Sequence, residues 1–137
     1  RALILFLLIV LWPDRASGQS VPNALVCEFP NSVSADMKAT SIKRSEGSTF
    51  SFVIAAIDVK NKTAQLIGNA GAEFLLVISG EAGVSFLEVT PVRNVTVTSI
   101  FFPNLESGEF FAVHSRHINL HGDPLISQYY GRCTGKW

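Results

Sequence analysis

Strongly charged segments are missing from this sequence. The chain of 137 residues has 11 basic and 11 acidic side chains, and its longest basic cluster is Lys43-Arg44, which Glu46 follows closely. A protein that binds nucleic acid or anionic lipid carries a basic patch that neutralises phosphate groups. We therefore expect no nucleic acid among the partners of this protein.

The common catalytic and metal-binding motifs are also missing. The sequence contains no CxxC, HExxH or HxH spacing, no GxSxG or SxxK motif, and no GKS or GKT after the glycines of GNAG at residues 68–71. Such motifs place a zinc ligand, a nucleophile or a phosphate-binding loop in a working geometry. Their absence favours a non-catalytic protein without a cofactor and without a metal site.

No apolar run is long enough to cross a membrane as a helix. The longest, residues 2–12, follows Arg1 and precedes the polar sequence PDRASG, whereas a span needs about 20 apolar residues. A basic start, a short apolar core and a small-residue end are typical of a secretory signal peptide. We predict a signal peptide over residues 1–18, cleaved before Gln19, and a secreted or periplasmic domain over residues 19–137 with no membrane span.

Cysteine is scarce, and the two that occur bracket the predicted domain. Cys27 lies near its start and Cys133 lies four residues from the end of the chain. In an exported chain an even cysteine number indicates disulfide bonding, so we predict a Cys27–Cys133 disulfide. A free thiol or an intermolecular bridge is the alternative.

What the sequence does contain is a series of strand-length apolar runs. Between residues 49 and 133 they are rich in Phe, Val and Ile and are separated by short turns of Gly, Asn and Pro. This spacing predicts an all-β domain, a single antiparallel meander of about eight strands that forms a closed or partly closed barrel. A two-layer β-sandwich is the alternative. Residues 34–44 are the only segment with a plausible helical turn.

The alternation of side chains predicts which residues face inward. Both faces of the run FSFVIAAIDV are apolar, so we expect a central strand on which Phe50, Phe52 and Ile54 line a lipophilic lumen. In VTVTS, Val95 and Val97 are predicted to face inward, and Thr96 and Thr98 to face water. The outline resembles lipocalin- and avidin-like barrels, but the Gly-x-Trp signature of lipocalins is absent.

All three histidines, His114, His117 and His121, lie in the segment FFAVHSRHINLHG. On a regular strand His114 and His117 point to opposite faces, and His121 falls in a predicted turn, so one strand cannot form a three-histidine zinc site. Zinc would need a distant carboxylate, such as Asp58 or Glu88. Ser115 and His117 share a face but are about 6–7 Å apart, beyond hydrogen-bonding reach.

The last two runs are predicted to pair as a hairpin around the turn NLHGDP. Pairing would bring together polar and aromatic side chains that suit an anionic or aromatic group. The predicted ligand-binding residues are His114, Ser115, Arg116, His117, Gln128, Tyr129 and Tyr130. In the alternative interpretation, Tyr129 and Tyr130 simply divide between the core and the surface.

Two N-glycosylation sequons, at Asn61 and Asn94, lie at predicted turns and matter only in a eukaryotic protein. The leading functional hypothesis is a small exported barrel that binds a small apolar or amphipathic ligand or a protein partner without catalysis. The alternative is a structural or interaction domain of the cell envelope or extracellular surface without a ligand pocket. A secreted metal-assisted hydrolase is the third hypothesis.

Overall fold

A computed structural model describes residues 20–38, 40–69, 71–102, 108–120 and 122–137. The predicted signal peptide and His121 lie outside the described residues. Eight strands follow one another along the chain: β1 (Ala24–Asp36), β2 (Ser41–Asp58), β3 (Thr63–Gly68), β4 (Gly71–Gly80), β5 (Gly83–Val89), β6 (Val95–Phe101), β7 (Glu109–Leu120) and β8 (Asp123–Lys136). Within the part of the chain just given, no helix is long and apolar enough to span a membrane.

Each strand pairs with the next in an antiparallel ladder, and β8 pairs back on β1, so the sheet forms a closed barrel. The predicted all-β meander of eight strands is therefore confirmed, and the barrel rather than the sandwich is the architecture. The helical turn predicted for residues 34–44 is wrong. The ends of β1 and β2 occupy that segment and pair with each other from Asn31↔Glu46 to Asp36↔Ser41, because ladder hydrogen bonds satisfy backbone groups that an isolated helical turn leaves unpaired.

The barrel interior is filled by one side-chain parity of every strand. At its centre pack Phe29, Phe86, Phe110, Leu25, Ile54, Leu75, Ile100, Val77 and Val84, all essentially inaccessible to solvent. Phe52 also faces inward and is 6% exposed, while Phe50 packs against the core and is partly buried. Most of the interior is thus a close-packed apolar core, as in other small eight-stranded barrels.

Strand β6 presents the opposite face from the one predicted. Thr96 and Thr98 are 9% and 2% exposed and face the interior, whereas Val95 and Val97 lie on the outer wall. Both threonine hydroxyls have interior partners, which offset the cost of burying them. Outside, Val97 lies opposite Leu87 on β5. Over residues 95–98 the outer face of β6 is therefore apolar and the inner face is polar, while farther along the strand Ser99 faces outward and Ile100 lies in the core.

The four hairpins that share one end of the barrel, the upper end, differ in height. The pairs β1–β2 and β7–β8 are built from strands of 12 to 18 residues, whereas β3, β5 and β6 have 6 or 7 residues. Irregularities allow the long strands to bend above the barrel. Register shifts occur between Phe29 and Asn31, and Gly47 has a φ of 77°, which favours glycine. At the upper end, the hairpins β1–β2 and β7–β8 consequently extend farther from the core than the hairpins β3–β4 and β5–β6.

The seam between the first and last strands carries the disulfide. Cys27 lies directly opposite Cys133 in the β1–β8 ladder, with Cα atoms 4.0 Å apart. Both residues are fully buried on the inner face, and the predicted bond is confirmed. It joins residues 106 positions apart at the seam that closes the barrel.

We expect loss of this bond to lower stability markedly. In the chain-entropy model a loop of this length costs the unfolded state about 4–5 kcal/mol of freedom. The double variant Cys27→Ala/Cys133→Ala should therefore show a large drop in urea midpoint, and reduction of the wild type should reproduce that drop. Equal midpoints for oxidised and reduced protein would contradict a structural role for the bond.

Gly131 has no room for a side chain. A Cβ atom there would lie 1.9 Å from the carbonyl oxygen of Glu28 and 2.7 Å from the Cα of Phe29, at the bulge between β1 and β8. Backbone atoms cannot move aside cheaply, so Gly131→Ala should cost about 1–3 kcal/mol or more. Gly80→Ala is the control, because a Cβ at Gly80 meets nothing within 4 Å. Chemical denaturation of both variants measures the difference, and equal stabilities would refute the steric argument.

Candidate functional site

The upper end of the barrel opens into a cavity of about 550 Å³. Its apolar lining comes from Phe50, Phe52, Leu66 and Ile118, and its polar lining includes Glu73, Glu88, Thr96, His114 and Arg116. The tips of the β3–β4 and β5–β6 hairpins form its low rim, through residues such as Asn69 and Asn94. The unequal hairpin heights therefore produce a cup with an apolar base and polar sides.

An aromatic cluster forms the base of this cup. The ring of Phe50 lies 5.4 Å from that of Phe52, and Phe29 lies 5.4 Å from Phe52 between ring centroids. Tyr129 approaches Phe50 to 4.7 Å, and His114 lies 5.1 Å from Phe52. These separations suit favourable aromatic contacts, and the inclined rings of Phe50, Phe52 and His114 give the cup an aromatic base.

A row of polar side chains crosses the interior above the aromatic cluster, one from each of β5 to β8. In the ladders Glu88 is opposite Thr96, Thr96 is opposite Arg116, and Arg116 is opposite Ser127. Thr96 Oγ1 donates to Glu88 Oε2 at 2.8 Å. The strands continue above the closed apolar core at this level, where Glu88, Thr96 and Arg116 line the cup and Ser127 stays buried.

Arg116 is the only basic residue among those that line the cup. Within the described part of the chain its guanidinium forms no ion pair, and its one side-chain hydrogen bond runs from Nη1 to the Tyr129 hydroxyl at 3.4 Å. Its cross-strand neighbour Ser127 is 5% exposed, and the Ser127 hydroxyl has no partner among the described atoms. Arg116 at the cup and the enclosed Ser127 beside it are thus both left with unused hydrogen-bonding capacity.

His114 is held neutral. It is 3% exposed, and its Nδ1 lies 2.8 Å from Thr98 Oγ1. Burial, reinforced by the charge of Arg116, lowers the pKa of His114 from 6.5 to about 4. At neutral pH Arg116 is therefore the only cation within the lining, and His114 contributes a polar aromatic surface.

The barrel wall divides the predicted recognition cluster. His114, Arg116 and Tyr129 face the interior, and His114 is opposite Tyr129 in the predicted β7–β8 hairpin. On the other parity, Ser115, His117, Gln128 and Tyr130 lie on the outer wall, where the Tyr130 hydroxyl donates to Gln128 Oε1 at 2.7 Å. Phe50 and Phe52 border the cup as the lumen prediction placed them, and Ile54 lies deeper in the closed core.

Four polar residues around the cup escaped prediction: Glu88, Thr96, Thr98 and Ser127. The alternation in VTVTS was the available signal for the threonines, but alternation shows only that two faces differ. It does not show which face is inside, because a polar cup and an apolar outer wall reverse the usual rule. The buried serine carries no sequence signal of its own.

The structure offers little for catalysis or metal binding. Within the described ranges, no group of three or more His, Cys, Asp or Glu side chains lies close enough to hold a metal ion. His114 is inside the barrel and His117 is on the opposite face of β7. Ser115, on the outer face, is cross-strand from Val97 and Gln128. The arrangement can bind polar and apolar groups side by side.

The two sequon asparagines both have hydrogen-bonding roles. Asn61 is exposed in the β2–β3 turn, where its backbone and side-chain N–H groups donate to Asp58 and hold the pKa of that carboxyl below its usual range. Asn94 is half-buried at the rim of the cup, and its Oδ1 accepts from the backbone N–H of Asn119 at 2.8 Å. A glycan at Asn94 would stand at the mouth of the cup.

A second depression, of about 650 Å³, lies on the outer wall over β1, β7 and β8. It is larger, but Arg132 in its lining already pairs with Glu109. Arg132 Nη1 lies 3.1 Å from Glu109 Oε2, and the guanidinium stacks 5.5 Å above the Phe111 ring. We regard the cup as the better binding site, because Arg116 in its lining forms no ion pair with any described residue.

Comparison with known proteins gives no match: no family model, no curated protein and no solved structure is significantly similar to this chain. The geometry of the cup is therefore the basis for a functional assignment.

The burial of neutral His114 predicts a pH-dependent stability. The unfolded histidine titrates near 6.5 and the folded one near 4, so between these values the unfolded state binds more protons. The contribution of neutral His114 to the free energy of unfolding is complete above pH 6.5. It decreases by about 2–3 kcal/mol as the pH falls to 4. His114→Gln should remove this part of the pH slope in denaturant titrations.

The control is His117→Gln, on the exposed outer face of β7. It should keep the wild-type slope between pH 6.5 and 4. Carboxyl groups also titrate in this range, so the difference between the variants is the quantity to compare. Identical slopes for wild type and His114→Gln would show that His114 is not held neutral.

Proposed function

We propose that this protein is a small exported, non-catalytic binding module whose ligand is a small amphipathic molecule held in the cup. The main support for this proposal is Arg116, which forms no ion pair with a described residue and lies beside an aromatic base in a cavity of about 550 Å³. Ligand sites are typically cavities of about 300–1,000 Å³ with mostly apolar walls and a few polar groups that orient the ligand. The cup has this size and composition.

The polarity of the cup indicates how such a ligand would lie. Its apolar part contacts Phe50, Phe52 and Leu66, which lie on β2 and β3 at one side of the cavity. Its polar group reaches Arg116 on β7, and a carboxylate or similar anion would accept two parallel hydrogen bonds from the guanidinium. The ligand that fits best therefore combines a short apolar body with one anionic group.

Export fits the same proposal. The buried Cys27–Cys133 bond is of the kind that persists in oxidising compartments, and the N-terminal sequence has the pattern of a secretory signal. We propose that residues 19–137 act outside the cytoplasm, in the periplasm or the extracellular medium. The competing hypothesis is a structural or interaction domain without a ligand pocket. The presence of the cup argues against it.

Binding of sodium decanoate, measured by titration calorimetry, tests the proposal. Decanoate should bind, and decanol and decyltrimethylammonium should bind more weakly, because neither supplies an anion to Arg116. Arg116→Gln should weaken decanoate binding about 10- to 100-fold, the size expected when a charged hydrogen-bond partner is lost.

Arg132→Gln is the matched control, because this arginine lies on the outer wall in an ion pair with Glu109. It should leave decanoate affinity unchanged. Absence of decanoate binding, or equal loss in both arginine variants, would overturn the proposal. Mass spectrometry of small molecules that co-purify with the exported protein would then identify the natural ligand class.

A further inference from the structure

The barrel wall has a gap beside the cup, along the free edge of β2. Strand β2 pairs with β1 from Ser41 onward, but β3 joins it only from Val53, which lies opposite Ile67. Above this pair β3 turns into β4 at Gly68–Gly71. Among the described residues, residues 41–46 and 50–52 of β2 therefore have a strand partner on one side only, and the register shift leaves residues 47–49 outside the pairing with β1.

The position of the disulfide shows which backbone groups this edge presents. A Cα separation of 4.0 Å between Cys27 and Cys133 is that of a pair that does not exchange backbone hydrogen bonds. The N–H and C=O of Cys27 thus point the other way, toward its β2 partner Phe52. Because direction alternates along a strand, the backbone groups of Ser51 and Thr49 point away from β1, into the gap.

The cavity lining agrees with this assignment. Thr49 and Ser51 line the cup although their side chains belong to the outward parity and are exposed. The edge of β2 at residues 49–52 therefore lies beside the cavity. Sheet edges expose hydrogen-bonding groups that another strand can pair with, and proteins usually protect them with charges or bulges.

Protection is present on the upper part of this edge and missing on the lower part. Lys43, Arg44, Glu46 and the bulge at Gly47 cover the upper part. Residues 48–52 carry no charge, and residues 49–52 line the cup. An uncharged edge beside an apolar cavity suits an uncharged partner strand with an apolar side chain.

We propose that residues 48–52 receive an extended segment of another polypeptide by strand addition. The segment continues the line of β3, antiparallel to β2, and occupies the ladder positions that β3 leaves at Gly68. Its residue opposite Phe50 projects into the cup, since directly opposed residues share a face. A large aliphatic or aromatic residue at that position contacts Phe50, Phe52 and Leu66, while its neighbours face outward.

A small ligand cannot substitute for such a segment on the edge. The free backbone groups of Thr49 and Ser51 are two residues apart, about 6–7 Å along the strand, and each presents both a donor and an acceptor. The backbone of another strand presents its own donors and acceptors at the same spacing, so it can pair with both positions. The inference goes beyond small-ligand binding and does not depend on Arg116, although an inserted side chain and an amphiphile would compete for one cavity.

The test uses a capped seven-residue peptide, Thr-Phe-Thr-Val-Thr-Val-Thr, whose first threonine lies opposite Ser51 and whose phenylalanine lies opposite Phe50, so that it does not overlap Ile67 of β3. In NMR titrations of the ¹⁵N-labelled protein, amide shifts should concentrate at residues 48–52 and around the cup. In the antiparallel register threonine faces outward opposite Ser51, and its N–H bonds to β2. N-methylation of the threonine that precedes phenylalanine, the one opposite Ser51, should therefore reduce affinity at least 10-fold.

N-methylation of the phenylalanine opposite Phe50 is the matched control, because the N–H of that residue points away from β2. That peptide should keep its affinity within about threefold, a change of less than 1 kcal/mol. The reverse pattern, or equal effects at both positions, would overturn the proposed register. Absence of any shift at residues 48–52 would overturn strand addition itself.

Variants at two positions separate this inference from the small-ligand proposal. Ser51→Pro removes one N–H from the free edge, a position where proline is tolerated, and should abolish peptide binding, whereas Ser51→Ala keeps that N–H and should retain peptide binding. Arg116→Gln should weaken decanoate binding and retain peptide binding. If Ser51→Pro and Arg116→Gln each lose both probes, the two sites are one, and the separate edge site is refuted.

Discussion

Closure of the ladder between β1 and β8 is the constraint on which the rest of the structure depends. Once Cys27 faces Cys133 across this seam, every strand has two neighbours along part of its length, and each side chain is either inside or outside. A single register therefore determines the filled core, the position of the cup and the contents of its wall. Slipping one strand by one residue would exchange its two faces and bring the outer set into the interior.

The cup follows from unequal strand lengths on this closed framework. An apolar core closes the barrel only as far as the short strands reach. Where β2 and β7 continue beyond it, their inward side chains meet open space, and polar residues such as Arg116 become compatible with an inward position. The same excess length leaves the edge of β2 without a partner beyond Val53. One geometric cause thus produces both an amphipathic cavity and an open strand edge, and for this reason the two features adjoin.

Much of this arrangement could be predicted from the sequence, because strand period and turn residues are local signals. The meander and the separation of His114 from His117 follow from them, whereas the disulfide was predicted from an even cysteine count in a chain expected to be exported. The faces of β6 could not be predicted: threonine alternating with valine is symmetric, and only the tertiary partners of Thr98 and Thr96 make the polar face the inner one. The end of β1 resembled a helical turn for a similar reason, since its partner Ile42 lies on the far side of the turn. Long-range pairing, not local preference, decided both cases.

The polar groups of the interior differ in how completely they are satisfied, and this difference separates structural from binding roles. Thr98 and His114 satisfy each other beneath the cup, and Thr96 satisfies Glu88, so these pairs bury polar atoms at little cost. Arg116 and Ser127 are adjacent and retain unused donors. A barrel selected for stability alone would place apolar side chains at both positions, because unsatisfied polar groups near a core reduce stability. The guanidinium of Arg116 belongs to the lining of the cup, where the anionic group of the proposed ligand would complete it, whereas the Ser127 hydroxyl is enclosed within the barrel.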